Sequence, residues 1–97
     1  MTYRIEKDSM GEIKVASDKY WGAQTQRSLL NFNIGNEFFP REFIKAYGII
    51  KYVAAKVNNN NNLVSDDIKN VIQEASNEVI KGKYDDQFPL VVWQTGS

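Results

Sequence analysis

Three clusters in the sequence carry groups that could do chemistry. At its end, Thr95-Gly96-Ser97 sets two hydroxyls on either side of a glycine, just after the apolar run Phe88 to Trp93. Glycine lets a ligand come close to the backbone, so hydroxyls and N–H groups there suit an anion, above all where a helix starts next. Asp85-Asp86 is a pair of carboxylates. Two adjacent acids can serve as a metal or acid/base pair, and equally as a solvated turn or a cap. Gln24-Thr25-Gln26-Arg27 is a polar cluster whose guanidinium is a natural fork for a carboxylate. The alternative there is the outer face of a short helix. Trp21 and Trp93 read as core aromatics.

Composition excludes much other chemistry. The 97 residues contain neither Cys nor His. Disulfides, Cys-ligated zinc, thiol nucleophiles and Ser-His or Cys-His pairs are therefore absent from this sequence. Twelve basic residues balance twelve acidic ones, so the basic excess of a nucleic-acid or acidic-membrane binder is missing. No apolar run approaches the roughly 20 residues of a membrane span. The first residues show neither a signal-peptide core nor a transit pattern. These features predict a soluble, cytoplasmic protein without membrane or nucleic-acid partners, and no metal or other cofactor is expected.

Several elements must position those clusters. Tyr3-Arg4-Ile5-Glu6 and Glu12-Ile13-Lys14-Val15 alternate on either side of Lys7 to Gly11, which predicts a β-hairpin with Tyr3/Ile5 and Ile13/Val15 facing inward. Residues 17–32 predict a short helix capped by Ser17 or Asp18. Residues 33–39 read as a loop around Gly35 and Asn36. Pro40 suits the first turn of a second helix, whose apolar face is Phe43, Tyr47, Ile50, Ala54 and Val57, widened by Ile44, Ala46, Ile49 and Val53. The run Asn58 to Asn62 ends it in a loop. A third helix starts at the cap Ser65, places Asp66 and Asp67 in its first turn and Lys81 in its last, and stops before Gly82. Ile68, Val71, Ile72, Ala75, Val79 and Ile80 form its stripe. The basic second and acidic third helices predict an antiparallel pair with attracting rims. Phe88 to Trp93 reads as a buried extended segment. Such a segment delivers the chain to a further element, so the ending at Ser97 reads as a cut within a longer protein.

Three stretches resemble a known family in order and spacing: Arg4 to Gly11, Asp18-Lys19-Tyr20-Trp21-Gly22-Ala23-Gln24-Thr25-Gln26-Arg27-Ser28, and Asp85-Asp86-Gln87-Phe88-Pro89-Leu90-Val91-Val92-Trp93-Gln94-Thr95-Gly96-Ser97. They look like the N-terminus of class II fumarate hydratase. Its superfamily also holds aspartate ammonia-lyase and argininosuccinate lyase, all of which add or remove water or an amine across a fumarate double bond. Aspartase is similar in layout, but typically has His-Thr in place of Gln24-Thr25 and Gln-Gly-Gly-Ala-Gly in place of the final block.

The resemblance implies a mainly α fold with an N-terminal β-hairpin, and residues 1–97 as the N-terminal domain portion preceding a central helical bundle. It implies a homotetramer with sites assembled from several subunits, acting on fumarate and malate. It also implies that Ser97, with Thr95 beside it, opens a stretch that holds a substrate carboxylate. The catalytic Ser loop and its His, Lys and Asn helpers belong to blocks outside this sequence, so no catalytic residue is expected within it. Two other readings stay open: an aspartate ammonia-lyase, or a non-enzymatic helical module that docks a partner through Phe88 to Trp93.

Overall fold

Alternating polar and apolar residues build an antiparallel hairpin of β1 (Tyr3–Asp8) and β2 (Gly11–Ala16) in a computed structural model that describes residues 2–93. Ser9 and Met10 form the turn. It is closed by the Met10 N–H donating to Asp8 Oδ1 at 2.9 Å, and Gly11 takes φ +111°, where a side chain would be strained. Arg4 lies opposite Val15 and Glu6 opposite Ile13. Directly opposed residues share a face, so the polar side of β1 joins the apolar side of β2. Val15 is fully buried, whereas Tyr3 and Ile5 are 58% and 55% exposed. The expectation that both apolar pairs face inward is therefore wrong for Tyr3 and Ile5.

Arg4 explains the inversion. Its guanidinium donates to the carbonyls of Ala16 (2.9 Å), Lys19 (2.7 Å) and Trp21 (2.6 Å), and pairs with Glu6 at 2.7 Å. Arg4 ties these three carbonyls to the hairpin, and residues 17–22 stay irregular. The helix α1 spans Ala23–Asn31, later than the predicted start, with Gly22 rather than Ser17 or Asp18 at its N-cap.

These elements belong to one compact unit, residues 2–39 with 86–93; Pro40–Asp85 forms another. In the latter, α2 (Arg41–Asn60) and α3 (Asp66–Ile80) make an antiparallel pair. Pro40 is the N-cap of α2 rather than its first residue. Asn58 to Asn60 continue the helix, and the left-handed turn comes only at Asn62, φ 61°. Asn59 stays useful inside the last turn because its amide donates to Val64 O at 3.1 Å and Asp66 Oδ1 at 2.8 Å. The predicted start and stop of α3 hold, except that Lys81 is the C-cap rather than a residue of the last turn. Ser65 Oγ accepts from Ile68 N at 3.2 Å, and Gly82 follows the C-cap Lys81 with φ +87°.

The packing face differs from the predicted stripes. Buried positions on α2 are Ile44, Gly48 and Ala55, and on α3 Ser76. A Cβ on Gly48 would meet Ile80 Cγ1 at 2.8 Å and Ser76 O at 3.2 Å, so the backbones approach closely there. Phe43, Tyr47, Ile50 and Val57 remain exposed, as do Ile68 and Val71. Small residues allow that approach at Gly48 and Ser76, with Ile44 and Ile80 beside them, while many of the other large apolar residues stay exposed. No ion pair joins the two rims among the described residues. The charged contacts are instead Arg41 with Asp85 at 3.0 Å and Lys83 with Glu78 at 3.6 Å. No helix of the described residues is long and apolar enough to cross a membrane.

Candidate functional site

The predicted anion motif, Thr95 and Ser97 with Gly96, lies outside the described residues. What the structure does show is how the chain is held up to Trp93. Val91 forms an isolated antiparallel bridge with Phe38 and is 7% exposed. The next residue, Val92, donates its N–H to Glu37 O at 2.8 Å. Trp93 then donates its indole Nε1–H to Glu37 Oε2 at 2.9 Å, and the same oxygen accepts the Asn36 N–H at 3.0 Å. The indole donor, followed by the Asn36 N–H, holds the Glu37 carboxyl below the usual carboxylate range. Gly35, at φ +82°, makes room: a Cβ there would fall 2.8 Å from Glu37 Oε2 and 3.2 Å from Trp93 Cδ1.

This corrects two expectations. Phe88 to Trp93 is only partly buried, with Val91 as its anchor. Trp93 is not a core residue, for its side chain is 66% exposed and tied by its nitrogen. Trp21 is half-buried and likewise satisfied through its nitrogen, which donates to Gln26 Oε1 at 2.8 Å.

The polar cluster on α1 is structural. Arg27 forms a two-pronged pair with Asp8, Nε to Oδ2 and Nη2 to Oδ1, both 2.9 Å, and Nη2 also reaches Gly11 O at 3.2 Å. The pair ties α1 to the hairpin turn. Asp8, with 9% of its side chain exposed, is held below its ordinary pKa chiefly by the Arg27 hydrogen bonds, and Arg27 is raised by Asp8. Arg27 is thus a fork for a carboxylate, but that carboxylate is the chain's own. Gln26 is spent on Trp21, and Gln24 is exposed. Thr25 lines a small apolar pocket of about 140 Å³ with Phe39, Gln87, Phe88, Pro89 and Leu90.

Asp85 and Asp86 do not act as a pair either. Asp85 forms an ion pair with Arg41, Oδ2 to Nε at 3.0 Å, while Asp86 lies 3.9 Å from Lys19 Nζ. Arg41 also donates through Nη2 to the carbonyls of Val79 and Ile80, which closes the C-terminus of α3. Among the described residues, no group of three or more acidic or His/Cys side chains could hold a metal.

Sequence reasoning missed Glu37, which sits in a stretch without periodicity. The adjacent Gly35-Asn36 turn was its only local signal. It also missed Arg4 and Asp8 as inward-facing groups, since alternation alone assigns polar residues to solvent.

The family described as Lyase matches residues 11–97. A class II fumarate hydratase of Thermus thermophilus is 56% identical over 99 residues, covering all of this chain and 21% of that protein. One from Bacillus subtilis is 53% identical over 97 residues, again 21% of its length. The chain thus spans about a fifth of the curated relatives it matches. Among solved structures, a recombinant class II fumarase from Schistosoma mansoni superposes with a TM-score of 0.91 at 40% identity, over 98% of this chain and 20% of that one.

Proposed function

Since the chain belongs to the lyase family, we propose that it forms the N-terminal domain portion of a class II fumarate hydratase, the enzyme that interconverts fumarate and (S)-malate. The observation that carries this reading is 56% identity to such an enzyme along the whole chain. In the same reading the complete protein is a cytoplasmic homotetramer.

The chemistry divides the labour between this chain and the rest. Hydration of fumarate passes through a carbanion stabilised as an aci-carboxylate, so the site needs donors for a dianion and a base for the C3 proton of malate. Ser97, with Thr95 beside it, supplies donors to a substrate carboxylate. The sequence has no His, and in this reading the proton is taken by residues contributed from elsewhere in the complete enzyme. The described residues serve as the frame that brings the donor segment to the site.

The test is turnover by the complete protein that carries these residues, followed through the ultraviolet absorbance of the fumarate double bond. Malate is consumed and fumarate appears, while the 97-residue chain alone gives no turnover. Ammonia release from aspartate, without malate turnover, would replace this reading with an aspartate ammonia-lyase.

A further inference from the structure

We draw no further inference here: the strongest candidate, the apolar surface that Tyr47, Ile50 and Val57 of α2 and Ile68 and Val71 of α3 leave exposed off the helix seam, belongs to a chain spanning about a fifth of its relatives, and nothing in the structure shows what covers it.

Discussion

The two units of the chain are held together in opposite ways. In residues 2–39 with 86–93, long polar side chains reach across the chain: Arg4 to three carbonyls, Arg27 to Asp8, Trp21 to Gln26, Trp93 to Glu37. In Pro40–Asp85, two helices come together through residues with little side chain to interpose, Gly48, Ala55 and Ser76. The first arrangement fixes direction, because a hydrogen bond specifies both partners and an angle. The second fixes distance, because a close backbone approach tolerates no added volume.

The largest effect should come from adding volume to the helix seam. Gly48→Val places methyl groups where even a Cβ falls 2.8 Å from Ile80 Cγ1 and 3.2 Å from the Ser76 carbonyl. Overpacking of this kind costs about 3 kcal/mol, which chemical denaturation of the 97-residue chain would read. Gly48→Ala is the sharper probe. On helix propensity alone it would stabilise by about 1 kcal/mol, so a net loss of stability reports the close approach. A net gain would mean that the seam is looser than described and that the contrast between the units fails.

A smaller effect separates the units by pH. Asp8 and Glu37, the carboxylates held below their ordinary values, both lie in the unit containing the hairpin. A carboxyl with a depressed folded pKa stabilises fully above its unfolded value and loses that contribution as pH falls through the folded one. The hairpin and α1 should therefore lose native signals in an NMR titration below about pH 4. In Pro40–Asp85 the shifted group is Lys83, raised chiefly by its hydrogen bond to Tyr84 and then by Glu78. Its contribution is present below the ordinary Lys value and lost on the alkaline side, so it leaves acid stability unaffected. Asp8→Asn should flatten the acid loss of the hairpin and leave the α2 and α3 signals unchanged. Equal flattening in both units would remove the distinction.

The same contrast decides what could be read from the sequence. The termini of α3 were legible because each signal is local: the Ser65 hydroxyl caps a residue three positions on, and Gly82 takes its own left-handed conformation. Helix existence was legible for α2, but its packing face was not. Periodicity finds the side rich in large apolar residues and so reaches Ile44 and Ile80, but it passes over Gly48, Ala55 and Ser76, small residues that barely register as hydrophobic. The start of α1 was illegible because Arg4 claims carbonyls 12 to 17 residues away. At the site, the pairing of Arg27 with Asp8 spans 19 residues and that of Glu37 with Trp93 spans 56. No spacing rule connects such positions. Ser97 and Thr95 entered through family resemblance, and Glu37 through the structure alone.

The smallest expected effect carries the most direct test of that lesson. Alternation assigns Ile5 and Val15 to one core, and the register assigns them to opposite faces of the hairpin. Val15→Ala removes two fully buried methyl groups, at roughly 0.8 kcal/mol each plus a cavity term, for a loss of about 2 kcal/mol. Ile5→Thr keeps β-branching and removes apolar area from a side chain already more than half exposed. Its cost should stay within about 0.5 kcal/mol. Urea denaturation of both variants settles the order. Comparable losses would place Ile5 in the core, and Arg4 would then have to give up its three carbonyls, since both side chains cannot face inward from adjacent positions on one strand.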